Sequence, residues 1–129
     1  MALLALIRAE PILVGISQGS DMTYITYDDF KKLDLRVGKV ISAEKIKGLT
    51  KVMKATVDLG EEKRELVVGG AEFYEPEYFT NKTVIIVANL EPKKIAGLTS
   101  NGMLLAADVN GKPIWLTVAD DVPAGSKIA

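Results

Sequence analysis

The side chains able to do chemistry in this sequence are bases, amides and hydroxyls. The 129-residue chain contains no His and no Cys. That removes imidazole general bases, Ser-His-Asp triads, HExxH zinc sites, thiolate metal centres and Cys nucleophiles together. A metal would have to be held by carboxylates and carbonyls, the donors that suit Mg or Ca. Asp108-Val109-Asn110-Gly111 opens like a calcium loop but lacks the third acidic ligand and the distal Glu. Glu61 and Glu62, and Glu75 and Glu77, stand at turn or helix-start positions without a nucleophile beside them, so they form no catalytic dyad. GxGxxG and P-loop motifs are absent. The composition therefore points to a protein that is not an enzyme and carries no cofactor or metal.

What remains is the chemistry of polyanion binding. The formal net charge is only −1, from 16 Lys+Arg and 17 Asp+Glu. Residues 31–64, however, hold Lys31, Lys32, Arg36, Lys39, Lys45, Lys47, Lys51, Lys54, Lys63 and Arg64 against five acids, a local net of +5 inside flanks of −3 each. A basic surface of this kind steers polyanions even in a near-neutral protein. A solvated lysine face is the competing explanation, and charge alone favours neither. Further along, Pro92-Lys93-Lys94 follows Asn89 in a loop-like stretch and offers paired ammoniums to phosphates. Ser100-Asn101-Gly102-Met103 offers a hydroxyl, an amide, open backbone and a thioether that can lie flat on a base. The same four residues also make an ordinary turn ending in a core Met. Aromatics are 6% of the chain. That is too few for a general single-strand binder and points to a shaped RNA or a few unstacked nucleotides.

Several short elements must position these groups. A short helix is expected from Thr26, which can N-cap it, to about Leu33, with Asp28 and Asp29 in the first turn where the helix dipole favours acids. Strands follow. Residues 35–46 form a long first strand with a bulge or bend expected at Gly38. After a turn at 47–50, Met53, Ala55, Val57 and Leu59 alternate with Lys54, Thr56 and Asp58, the period of a half-buried strand. A third strand over 64–68 ends at Gly69-Gly70. Pro76 suits the first position of a second short helix. Residues 83–88 (TVIIVA) are continuously apolar and predict a strand buried on both faces. Residues 89–101 look like loop, and 103–109 like a strand leading into an Asn110-Gly111 hairpin turn. Ile114, Leu116 and Val118 alternate beyond it, with Trp115 on the opposite side. Three roles fit Trp115: cover for one barrel end, a subunit contact, or a stacking surface. A late turn at Pro123-Ala124-Gly125 precedes a C-terminal strand extension.

No βαβ alternation and no long repeat is present. An all-β chain with a helix between its third and fourth strands fits the five-stranded Greek-key barrel of the OB-fold, whose face and loops bind oligonucleotides or oligosaccharides. The barrel domain is expected at 23–129, behind an apolar N-terminal extension at 1–22. That extension is too short and too interrupted by Arg8, Glu10 and Pro11 to span a membrane, and it lacks the features of a signal peptide. Three roles fit it: a non-native start upstream of Met22, a helix and strand docked on the domain, or a contact with a second subunit. The chain is expected to be cytoplasmic and without a membrane partner.

Four segments together resemble one family. They are residues 30–40 (FKKLDLRVGKV), 57–64 (VDLGEEKR), 83–94 (TVIIVANLEPKK) and 95–107 (IAGLTSNGMLLAA). They are similar to the EMAP-type tRNA-binding domain. That domain occurs at the C-terminus of some methionyl-tRNA synthetases, as a free-standing synthetase β-subunit or structure-specific tRNA-binding protein, and in the CsaA chaperones. The resemblance covers about residues 24–128. It implies an OB-fold, a homodimer, no catalysis, and binding to the outer corner of tRNA through shape and backbone. It also implies that Lys51, Ser100 and Met103 lie on the RNA surface, with Arg36, Lys39, Lys54, Arg64, Asn89, Lys93 and Lys94 around them. Action in trans with methionyl-tRNA synthetase follows as the leading expectation, and a CsaA-like peptide-binding chaperone as the alternative. Two departures stand out. Gly69-Gly70-Ala71 replaces the family's bulkier sequence after the third strand, which predicts a looser wall. The chain is also less basic than the cytokine-like members, which predicts modest affinity.

Overall fold

The computed structural model describes residues 23–129, so the expectations for 1–22 lie outside the described residues. Two units are distinct, one reaching to Lys32 and one spanning 33–128. In the first, α1 (Tyr27–Lys31) opens as predicted, the Asp29 amide donating to Thr26 Oγ1 at 3.0 Å. Both first-turn acids find lysines three residues on: Asp28 meets Lys31 at 3.7 Å and Asp29 meets Lys32 at 3.1 Å.

The second unit is built from ten strands and one helix. They are β1 (Leu35–Lys45), β2 (Val52–Asp58), β3 (Lys63–Gly69), α2 (Pro76–Phe79), β4 (Thr83–Val87), β5 (Lys93–Ile95), β6 (Leu98–Ser100), β7 (Met103–Leu104), β8 (Ala106–Val109), β9 (Lys112–Trp115) and β10 (Lys127–Ile128). The main sheet runs β3-β2-β1-β4-β7, all antiparallel, with β10 added to the start of β1. Besides β10, β1 serves two long partners: its first half pairs with β4 and its second half with β2. The handover is a bulge between Val40 and Ser42, not at Gly38. Gly38 instead permits close approach, since a Cβ there would lie 2.5 Å from Val57 Cγ1 and 3.3 Å from Leu59 Cδ2.

The ends of the path meet across a narrow seam. The Asn101 amide donates to the Glu65 carbonyl at 3.0 Å, and the Val67 amide donates to the Ser100 hydroxyl at 2.9 Å. The result is the expected five-stranded barrel with α2 between its third and fourth strands. The interior holds Val40, Met53, Ala55, Val57, Leu59, Leu66, Val68, Val84, Ile86 and Leu104, and Phe79 of α2 plugs one end. All of β4 after Thr83 is buried, as its apolar run predicts.

Two stretches differ from the sequence expectation. Residues 89–101 are not plain loop but carry the β5–β6 hairpin, turned at Ala96-Gly97 with φ of 53° and 84°. A two-residue type I′ turn needs positive φ at both positions and usually advertises itself with Asn or Gly; Ala96 hides this one. The strand expected at 103–109 is split at Leu105. The Leu105 amide bonds Ile85 while its carbonyl accepts from Leu116, and the chain then leaves the main sheet for the β8–β9 hairpin. The Asn110-Gly111 turn has the predicted positive φ, 53° and 87°. Trp115 takes the first of its three roles, packed beside Phe79 with ring centroids 5.1 Å apart. The wall after β3 is tight rather than loose: a Cβ at Gly70 would sit within 3.5 Å of Pro113, Trp115 and Tyr74.

Candidate nucleic-acid interface

Most basic residues singled out by the sequence are held by acids of the same molecule. Arg36 on β1 meets Asp34 at 2.9 Å. That hydrogen bond, reinforced by the charges of Arg36, Lys127 and Arg64 and opposed by partial burial, holds the Asp34 carboxyl below its ordinary range and raises Arg36. Lys39 reaches Asp121 at 3.0 Å. Lys54, on the outer face of β2, lies between Glu44 of β1 at 3.3 Å and Glu65 of β3 at 3.7 Å, and is raised chiefly by the Glu44 bond.

Arg64 at the start of β3 is a bracket. Its Nε and Nη2 donate to both oxygens of Glu62 at 3.1 Å, while Nη1 reaches the carbonyls of Ala88 and Asn101. One guanidinium thus ties β3 to the exit of β4 and to the β6–β7 turn. It also holds the Glu62 carboxyl below its ordinary value. Asn89 performs a parallel task, its Oδ1 accepting from the Asp34 amide at 2.8 Å. Arg64, Asn89 and Asn101 share the lining of an open groove of about 650 Å³ with Glu62, Lys63 and Glu91.

Ser100 is 5% exposed. Its hydroxyl accepts from Val67 N–H and donates to the Gly102 carbonyl at 3.2 Å. The resemblance put it on the RNA surface; the geometry makes it a clasp for the barrel seam. Gly102 is equally constrained, with φ of 137° and a hypothetical Cβ 2.9 Å from Ile86 Cδ1. Met103 next to it is not a core residue but stands 47% exposed on β7.

Among the described residues, the exposed Lys47, Lys51, Lys63, Lys93, Lys94 and Lys112 and the half-buried Lys82 have no ion pair. Residue type alone does not set Lys47 and Lys63 of the basic segment apart from Lys54 or Lys39; only which neighbours carry acids does. Lys93 and Lys94 ride on the β5–β6 hairpin. The seam contacts match Asn101 to Glu65 and Ser100 to Val67, so β6 runs antiparallel to β3 and the hairpin turn lies toward the Gly69 end. Gly69 pairs with Val52, the residue after Lys51. The Ala96-Gly97 turn and the Lys47–Lys51 turn therefore share one end of the β2–β3 wall, while Lys93, paired with Ser100, and Lys63 lie toward the other, beside the groove and Arg64.

A five-stranded Greek-key barrel with unpaired lysines at both ends of its β2–β3 wall is an OB-type module, a fold whose face and loops bind oligonucleotides or oligosaccharides. Residues 35–127 match the model of the "Putative tRNA binding domain" family, and the chain belongs to that family. It is similar to the methionine–tRNA ligase of Methanocella arvoryzae, 56% identical over 105 residues, covering 81% of this chain but 15% of that protein. The ligase of Pyrococcus horikoshii is 50% identical over 109 residues, again 84% of this chain and 15% of the ligase. The chain thus spans under a fifth of the ligases it matches. Among solved structures, a MetRS-related protein from Pyrococcus horikoshii superposes with a TM-score of 0.79 at 40% identity, covering 84% of this chain and all of that one. The chaperone CsaA of Bacillus anthracis superposes with a TM-score of 0.76 at 28% identity, covering 83% of this chain and all of that one.

Proposed function

We propose that this chain is a non-catalytic tRNA-binding protein that reads the shape and backbone of folded tRNA and acts in trans with methionyl-tRNA synthetase in the cytoplasm, as a homodimer. The observation that supports it most is the sequence match of 56% to part of a methionine–tRNA ligase, set against 28% and 31% to two CsaA chaperones. The lysines without acid partners supply phosphate contacts, and the exposed Met103 a soft surface for a sugar or base. Holding tRNA near a synthetase raises its effective concentration without adding any catalytic group.

The test is a gel shift with bulk tRNA over a salt series, beside a single-stranded RNA of equal length. Folded tRNA is expected to bind more tightly, with affinity falling steeply as salt rises because lysine–phosphate contacts release counterions. No binding at low salt, or affinity indifferent to salt, refutes the proposal. Added to a methionyl-tRNA synthetase at limiting tRNA, the chain should speed aminoacylation; no effect removes the synthetase partnership. The similar superposition onto CsaA supports a second reading, a peptide-binding chaperone. Suppression of client aggregation without tRNA binding would establish it instead.

A further inference from the structure

The chain has eight aromatic residues, and four of them form one cluster at the end of the barrel. Trp115 packs on Phe79, and Phe79 meets the edges of Tyr74 and Tyr78 at 6.3 and 6.2 Å. Tyr74 and Tyr78 stack face to face, centroids 4.3 Å apart and planes 16° apart. Each outer face of that stack carries an ammonium: Lys82 Nζ lies 4.2 Å from the Tyr78 centroid and Lys112 Nζ 5.5 Å from that of Tyr74. The inner members have structural work. Phe79 is fully buried, and the Tyr74 hydroxyl donates to the Pro113 carbonyl at 2.8 Å. Tyr78 has none of that; it is 44% exposed and its hydroxyl bonds nothing among the described residues. Neither Lys82 nor Lys112 has an acid partner there.

This cluster adjoins the free lysines. The Ala71 amide donates to the Lys51 carbonyl at 3.3 Å, so the segment that carries Tyr74 and Tyr78 begins against the lysine turn. The surrounding acids are Glu72, Glu75 and Glu77, of which Glu75 is held by Lys45 at 3.1 Å. They make the spot poor for a run of phosphates. A neutral ring is indifferent to them, and stacking on an exposed tyrosine needs no particular base.

We propose that the outer face of Tyr78 receives one unstacked nucleobase of the bound RNA, Lys82 moving off the ring to the adjoining phosphate. The proposal rests on the tRNA-binding reading above and adds a contact outside the lysine loops. Until RNA arrives, the ammonium keeps the ring oriented through its π-face. The four-ring cluster gives a rigid platform, which lowers the entropic cost of capture.

Tyr78→Leu, Tyr78→Trp and Lys82→Gln in the full chain, each checked for folding by its circular-dichroism melt, separate the contributions in filter binding with bulk tRNA. Tyr78→Leu should weaken binding about tenfold and leave the slope of log affinity against log salt unchanged, because stacking releases no counterion. Lys82→Gln should reduce the slope by about 0.7 to 0.9. Tyr78→Trp should retain affinity and show indole fluorescence quenched by tRNA. Tyr78→Leu binding within twofold of wild type, or no quenching in Tyr78→Trp, overturns the proposal. Wild-type failure to bind tRNA at low salt would sink the tRNA reading separately. The stacking site is then decided by NMR with millimolar guanosine monophosphate: ring-current shifts at Tyr78 and Lys82 sustain it, and their absence overturns it. Equal binding by an unstructured peptide at the same ring, with no nucleotide effect, overturns it in favour of a protein partner.

Discussion

Replacing Ser100 with Ala separates a fold role from an RNA role. The substitution removes one oxygen from a site that is 5% exposed and leaves the Val67 N–H without its acceptor at 2.9 Å. It also frees the Gly102 carbonyl. An orphaned donor at a part-buried position costs about 1–3 kcal/mol, well above the net worth of an average hydrogen bond. In a domain of this size each kcal/mol lowers the melting temperature by about 4–8 °C. Ser100→Ala should therefore melt roughly 4–24 °C lower. tRNA affinity, measured at a temperature where both proteins are fully folded, should change less than about threefold, since below about 0.7 kcal/mol no direct contact need be invoked. The assay pair is a thermal melt and filter binding at 10 °C. A variant that melts like the wild type yet loses tRNA binding tenfold would refute the reasoning and return the hydroxyl to the RNA surface.

Other outcomes follow from the same geometry. Lys51→Ala should flatten the salt dependence of tRNA binding by about one unit without lowering the melting temperature, whereas Lys54→Ala should do so less, because Glu44 and Glu65 already neutralise that lysine. Gly38→Ala should destabilise by about 1–3 kcal/mol, read by urea unfolding, because its methyl would press on the fully buried Val57. Asp34 and Glu62 have carboxyl groups held below their ordinary values in the folded protein. Their contribution is thus present above the unfolded values and lost as pH falls through the folded ones. The melting temperature should accordingly fall as pH drops below about 4, and Asp34→Asn should blunt that acid limb.

Much of the barrel was legible because it rests on local signals. The alternation at Met53, Ala55, Val57 and Leu59, the all-apolar TVIIV of β4, the Thr26 cap and the Pro76 helix start each state their own structure. The β5–β6 hairpin was not legible, because Ala96 adopts a conformation its residue type does not advertise. Gly38 was misjudged for a different reason: the demand on it comes from Val57, nineteen positions away in sequence. The interface was half legible. Residue type shows that Lys39, Lys51, Lys54 and Arg64 are cationic. Which of them still carries an unspent charge depends on Asp121, Glu44, Glu65 and Glu62, and their proximity is a product of the register. The low aromatic content does not show where the rings lie: half of them converge on one corner.

The seam between β3 and β6 has a further consequence. Elsewhere the sheet is joined by ladders of up to seven residue pairs, as between β2 and β3, but here one backbone bond, one serine clasp and the Arg64 guanidinium suffice. Native-state amide exchange should find its first sub-global opening at Val67 and Asn101, well before the β1–β2 core lets go. The β5–β6 hairpin hangs from that hinge line, so in the proposed tRNA contact the lysines that meet the RNA ride on the part that costs least to move. RNA laid across both edges would act as the missing rungs and shut the opening it exploits.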